Sequence, residues 1–270
     1  MVKMAYLYGV SPVSLLLLRM LFALPFYILV AFTKRPESKP ATRDIGWVIF
    51  LGLIGYYLAS FFDFLGLQYV KAGLERLILF VYPTLVLLIS RVFLKVRISG
   101  KQLMGVLITY FGILVIFSAE LQINADEGLV LGVVLILLSA LTYAGYIVGS
   151  GWIIPTFGAR VFTSYAMIVS CVAFIGHYLL AGDYEVLNQP AEVYWIGLAM
   201  AVFATVIPSY LISYAIQRIG ANNFAILGSL GPISTVLLAY LFLDEVLTPV
   251  QLAGGLVIIL GIVLAEKKKK

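Results

Sequence analysis

Nine apolar runs, each about the length needed to cross a lipid bilayer, take up most of this 270-residue chain. They fall at about residues 12–33, 45–66, 73–94, 102–119, 128–150, 160–181, 193–215, 222–243 and 249–265. A hydrocarbon core about 30 Å thick needs roughly 20 apolar residues per helical crossing. A backbone at that depth must also satisfy its own hydrogen bonds. The expected fold is therefore an all-α polytopic membrane protein. Composition agrees: 63% of the residues are hydrophobic, 11% are charged and the mean hydropathy is +1.08. A soluble domain carries about 25% charged residues, so a water-soluble enzyme is excluded.

Cofactor and nucleic-acid chemistry find little support. The single cysteine, Cys171, forms no internal disulfide, and the single histidine, His177, leaves no Cys/His set with metal-ligand spacing. We expect neither metal nor cofactor. The net charge of +5 lies in short clusters between the apolar runs, as topology signals do, and not along a face that would bind nucleic acid. No signal-peptide cleavage pattern follows the first run.

Loop charges set the expected orientation. Fourteen of the 18 basic residues belong to one side: Lys34, Arg35, Lys39 and Arg43; Arg91, Lys95, Arg97 and Lys101; Arg160; Arg218; and Lys267 to Lys270. The opposite connections carry Glu120, Asp126, Glu127, Asp183, Glu185, Glu192, Asp244 and Glu245. An excess of Lys and Arg marks the cytoplasmic side. The reading is a multi-pass protein of the cell (inner) membrane, with the C-terminus cytoplasmic and Met1 outside.

The chain also repeats itself. Residues 66–115 laid over 215–264, an offset of 149, give twelve identities without a gap, among them Gln68/Gln217, Pro83/Pro232, Gln102/Gln251, Gly105/Gly254 and Gly112/Gly261. Apolar composition yields chance Leu matches, but it does not align prolines, glutamines and glycines. The basic loop 34–44 maps onto the Lys/Arg-free stretch 183–193, so equivalent segments face opposite sides of the membrane. Inverted repeats of this kind are typical of secondary transporters. Inversion needs an odd number of spans per unit, and five fits. The first repeat, 1–122, then has four helices and is N-terminally incomplete, and the second, 123–270, has five. The partner of the helix 128–150 would precede Met1, so nine helices are visible and the first of ten is expected to be missing.

The stretch Ala221 to Ala265, with its central Pro232, the Leu-Phe-Leu-x-Glu exit ending at Glu245 and a Gly-rich final helix, resembles the EamA group of the drug/metabolite transporter superfamily. GVSPVSLLLLRMLFALPFY, starting at Gly9, resembles the family's second helix, with Arg19 in the expected place. The likeness spans roughly residues 9–265 and departs at Leu94-Lys95-Val96, where the first repeat lacks the Glu-containing exit. It implies ten helices, cytoplasmic termini, and export or uptake of small metabolites through a central cavity.

Ionisable groups at membrane depth cost roughly 2.5–3.5 kcal/mol each on the insertion scale, so those that persist usually face a cavity or one another. Here they are Arg19, Asp63, Glu75, Arg76 and His177, which fall toward the outer half of their helices. Arg19 reads as a substrate or gate residue, as the partner of Asp63 or Glu75, or as a side chain snorkelling to the headgroups. Glu75 is the candidate carboxylate for proton coupling or substrate contact, with a plain interfacial residue as the alternative. Arg76, its neighbour, points about 100° away on a helix, and His177 reads as a packing residue. None has an ionisable mate at the 149-shifted position. Ser139, Thr142, Tyr143 and Tyr146 form one helical stripe, and Tyr210, Ser213, Tyr214 and Gln217 another, as candidate cavity lining or as glue between helices. Gly145 and Gly149 form a small-xxx-small pair suited to close packing. Pro83 and Pro232 interrupt apolar helices and are candidate hinges.

The leading function is a secondary transporter that moves a small polar metabolite by alternating access. A site mixing Arg, Glu and Tyr suits a zwitterion such as an amino acid. No Walker-type motif is present, and coupling to protons, exchange with a counter-substrate and simple facilitation all stay open. The alternatives are a non-transporting integral membrane partner or assembly factor and, on weaker grounds, an intramembrane enzyme, for which neither HExxH nor GxSxG is present. The expected partners are a small-molecule solute and the lipid bilayer.

Overall fold

The computed structural model describes residues 2–93, 95, 99–123, 128–181, 185–227 and 248–265. Local punctuation sets where its helices begin. A short helix, α1 (Val2–Tyr6), comes first. Pro12 opens α2 (Pro12–Thr33), where a missing N–H costs nothing, and the Ser11 hydroxyl caps it by accepting from the Ser14 N–H at 3.1 Å. The Asp44 carboxylate accepts from the Ala41 N–H at 3.0 Å and starts α3 (Thr42–Gly52). A π-helical stretch, Leu53–Leu58, carries α3 into α4 (Ala59–Tyr69). Next come α5 (Ala72–Leu79), α6 (Tyr82–Phe93), α7 (Gly100–Ile123), α8 (Leu129–Phe157) and α9 (Ala159–Ala181). A 3-10 turn, Glu185–Asn188, leads to α10 (Ala191–Ala201), which passes through a second π-helical stretch, Val202–Val206, into α11 (Ile207–Ile219). α12 (Ala221–Leu227) and α13 (Pro249–Ala265) complete the described chain, and no strand occurs among the described residues.

Six helical stretches are long and apolar enough to span a membrane: Pro12–Thr33, Thr42–Tyr69, Leu74–Phe93, Leu129–Phe157, Ala159–Leu180 and Ala191–Ile219. Shorter apolar helices cover Leu103–Gly112 and Leu252–Leu264. The expected helix 222–243 lies mostly outside the described residues, and Pro232 with it. The outward surface of the spans is apolar, with Phe32 88%, Leu180 90% and Trp195 69% exposed. Water does not tolerate contiguous surface of that kind, whereas lipid tails do. The protein is an all-α polytopic membrane protein.

Two compact units divide the chain, Met1–Phe64 with Gly145–Ala221 and Leu65–Ala144 with Asn222–Lys270, so each draws a segment from both halves of the sequence. In the first unit α2 packs on α9 and α10, and α3 packs on α9, around Leu15, Leu16, Met20, Met167 and Phe174. The offset of 149 is visible as structure. It lays α2 on α9, α3–α4 on α10–α11, and α5 on α12, and it carries the start of α7, Gly100, onto that of α13, Pro249. The two π-helical stretches begin at Leu53 and Val202, again 149 apart. Their local causes differ. Pro208 has no N–H to offer the preceding turn in one, and in the other Gly55 lets the ring of Tyr146 lie against bare backbone.

Equivalent helices run in opposite directions. The segment leaving α2 meets the start of α9, where the Ser38 N–H donates to the Thr156 carbonyl at 3.0 Å and Glu37 lies against Gly158. In the second unit α7 and α13 lie side by side. A Cβ on Gly112 would fall 2.8 Å from the Gly254 carbonyl oxygen, and one on Gly261 would fall 2.7 Å from that of Gly105. The glycines that matched in the sequence are therefore where the antiparallel pair touches, each meeting the repeat-mate of the other.

Candidate functional site

Arg19 stands in the second turn of α2, seven residues past Pro12 and so about 10 Å along the helix. It is buried, with 9% of its surface exposed. Its Nη2 donates to the Ser60 hydroxyl at 2.9 Å, and its guanidinium lies 5.0 Å from the centre of the Phe64 ring. Ser60, Asp63 and Phe64 are spaced i, i+3 and i+4 on α4, which puts all three on one helical face. Arg19 and Asp63 form no ion pair within 4.0 Å. Each keeps a buried polar atom without a hydrogen-bond partner, Nε of Arg19 and Oδ1 of Asp63. Tyr6 closes this end by donating to the Phe64 carbonyl at 2.9 Å. Burial, and then Asp63, push its phenol above the usual range and keep it a neutral donor. The first unit therefore holds an arginine and an aspartate at close quarters, each with hydrogen-bonding capacity to spare.

The α11 stripe is tied to its neighbours residue by residue. The hydroxyls of Tyr210 and Ser164 share a hydrogen bond of 2.8 Å, and Thr163 donates to Ser213 at 2.6 Å. Arg160 donates to the Tyr214 hydroxyl, and Gln217 donates to Glu37 at 3.2 Å. Beside them the Tyr27 and Ser209 hydroxyls lie 2.8 Å apart, fully buried. Most of these are hydrogen bonds between helices, of the kind that polar side chains form within membrane bundles.

The α8 stripe is shared between the units. Tyr146 belongs to the first, fully buried, donating to the Tyr56 hydroxyl at 3.1 Å. Tyr143 belongs to the second, with its ring 5.5 Å from that of Tyr82. Gly149 admits Leu51, and Gly145 lies against Ile54, which is close packing. His177 bonds the Tyr57 hydroxyl at 2.9 Å through Nδ1 and packs on Phe61 with ring centres 4.8 Å apart.

In the second unit Glu75 and Arg76 pair with each other, Arg76 Nε lying 3.1 Å from Glu75 Oε2. The carboxylate is buried and the arginine side chain is 42% exposed, so the flexible arginine reaches back across the angle that separates adjacent helical positions. Pro83 follows a true break: α5 stops at Leu79, and α6 restarts at Tyr82, which places the proline in a first turn. Across this break Tyr82 reaches the Ala225 carbonyl at 3.5 Å, and Ser90 donates to Asn222 at 3.1 Å. Ser60, Phe64, Tyr6 and Tyr27 were not among the sequence candidates. The Ser-x-x-Asp-Phe spacing beside a membrane-depth arginine is the signal that finds the first two.

Comparison with known proteins agrees with this architecture. The EamA-like transporter family matches residues 1–118 and 130–266. The uncharacterized transporter YcbK of Bacillus subtilis is 33% identical over 261 residues, covering 94% of this chain and 83% of the relative. An uncharacterized transporter of Archaeoglobus fulgidus is 25% identical over 265 residues, covering 96% and 90%. A solved structure titled "Crystal structure of protein" superposes with a TM-score of 0.69 at 18% identity, covering 95% of this chain and 89% of its own, and shares the fold. The chain belongs to the EamA-like transporter family and is a membrane transporter.

Proposed function

We propose that the protein is a secondary transporter that moves a small polar metabolite, of the amino acid class, by alternating access, and that Arg19 and Asp63 receive it. The carrying observation is the pair of unsatisfied groups in the first unit, Nε of Arg19 and Oδ1 of Asp63, which are close together yet not paired. A buried donor or acceptor left open costs about 1–3 kcal/mol. A zwitterion would repay both, its carboxylate accepting from the guanidinium and its ammonium donating to Asp63. Desolvated charges also discriminate against neutral solutes of the same size.

The remaining candidates take supporting roles in this reading. Glu75 with Arg76, and Tyr143, Tyr146, Tyr210 and Tyr214, line or gate the path, and Pro83 and Pro232 act as hinges. The repeats are 1–122 and 123–270, the membrane is the cell membrane, the C-terminus is cytoplasmic and no bond is made or broken. Energy comes from a proton gradient or from a counter-substrate.

Uptake and counterflow in proteoliposomes with a metabolite panel test this, comparing wild type with Arg19→Ala and Glu75→Gln. The expectation is counterflow of at least one zwitterionic solute that Arg19→Ala abolishes. Correctly inserted wild type that moves no solute would favour the non-transporting partner instead.

A further inference from the structure

The first unit carries a groove that the transport reading does not use. It lies between the α2–α3 connection, the start of α3 and α9, with a volume of about 340 Å³. That is within the roughly 300–1,000 Å³ of small-molecule sites. Its lining is apolar: Pro36 and Pro40 from the connection, Ile45 and Ile49 one helical turn apart on α3, Val169 from α9, and Phe157 buried beneath.

Four exposed cations belong to the same connection, Lys34, Arg35, Lys39 and Arg43, and none has an ion-pair partner among the described residues. The two acids of the segment are engaged internally. Glu37 accepts from Gln217, and Asp44 caps the Ala41 N–H. Positive charge is thus left to face outward beside an oily slot. Trp47 and Trp152 pack with ring centres 5.2 Å apart near this end of α3 and α8, and Trp152 is 49% exposed. Paired indoles of that kind mark the headgroup level of a bilayer.

We infer that this groove binds an anionic diacyl phospholipid, the headgroup phosphate held by the cations of residues 34–43 and part of one acyl chain laid between Ile45, Ile49 and Val169. Charge selects the headgroup, because a neutral zwitterionic lipid gains little from four unpaired cations. The apolar lining selects a lipid over a free phosphate, since each CH₂ buried strengthens binding about fourfold. Arginine adds bidentate geometry to phosphate that lysine lacks, which gives Arg35 and Arg43 the larger share.

Tryptophan quenching in vesicles tests this without any transport assay. Protein carrying Trp195→Phe, so that Trp47 and Trp152 report, is reconstituted in phosphatidylcholine. It is then titrated with brominated phosphatidylglycerol or brominated phosphatidylcholine. Each basic group near the surface is worth about 1 kcal/mol, or roughly fivefold in affinity, so we expect the anionic lipid to quench at clearly lower mole fraction. Arg35→Gln with Arg43→Gln should remove most of that preference, about fivefold for each charge lost. Val169→Phe, which fills the groove and removes no charge, should weaken quenching by the anionic lipid severalfold. Equal quenching by the two lipids in the unsubstituted groove overturns the proposal. So does a preference that Val169→Phe leaves intact, which would assign a headgroup contact at the surface alone.

Discussion

Arg19 donates one hydrogen bond to Ser60, sits over Phe64 and has no carboxylate within 4.0 Å, so its removal breaks no ion pair. Removing one partner of a buried ion pair is strongly destabilising, whereas an arginine outside such a pair carries its own desolvation cost, which an apolar chain of similar length does not. Arg19→Met should therefore keep thermal stability in detergent within about 1 kcal/mol of wild type, while uptake falls about tenfold to hundredfold, the loss of one charge-assisted hydrogen bond to substrate. A large drop in stability with proportionate loss of uptake would make the residue structural. The hydroxyls of Thr163 and Ser213, 2.6 Å apart, carry the opposite expectation. A double-mutant cycle of Thr163→Val and Ser213→Ala should give a coupling of about 0.6 kcal/mol in unfolding, with transport largely kept. These two sites also show how far residue roles could be read in advance. Spacing alone puts Tyr210, Ser213, Tyr214 and Gln217 on one stripe, but a stripe does not name what lies opposite, and only the fold supplies Ser164, Thr163, Arg160 and Glu37 as partners.

Element boundaries follow the same logic. α2 occupies the expected 12–33 because Ser11-Pro12 at one end and a charged segment at the other leave no doubt about where lipid-compatible sequence stops. The interruption after Leu79 was legible only as a proline inside an apolar run, since hydrophobicity has no period there that separates a kink from a restart. Because Pro83 occupies a first turn, where no backbone donor is missed, Pro83→Ala should leave insertion and stability nearly unchanged and alter turnover measured by counterflow. Unchanged turnover would take the hinge role away. The α7–α13 contact is less forgiving, because the atoms facing Gly112 and Gly261 include backbone atoms of Gly254, Ile258, Thr109 and Gly105, which cannot rotate aside. Gly112→Ala and Gly261→Ala should each destabilise by about 1–3 kcal/mol, and by similar amounts, as repeat-mates in equivalent contacts. Chemical unfolding in mixed micelles measures both.

At the scale of the whole molecule, the repeat organises everything else. The offset of 149 found in the sequence reappears in helix starts, in paired π-helical stretches and in glycines that touch across an antiparallel contact, features too independent to coincide through apolar composition. Duplication with inversion explains why a scaffold this symmetric has asymmetric chemistry. Packing positions are copied in both halves, whereas Arg19, Asp63, Glu75 and Arg76 map onto Ile168, Ile212, Phe224 and Ala225. The central claim is that equivalent segments of the two halves face opposite sides of the membrane. Lys39 and Asn188 are separated by 149 residues, are both exposed and lie in equivalent interhelical segments. Single cysteines at these positions, in a Cys171→Ala background, can be probed in intact cells with a membrane-impermeant maleimide. The account predicts that Asn188→Cys is labelled from outside and Lys39→Cys only after the membrane is opened; labelling of both from the same side would contradict it.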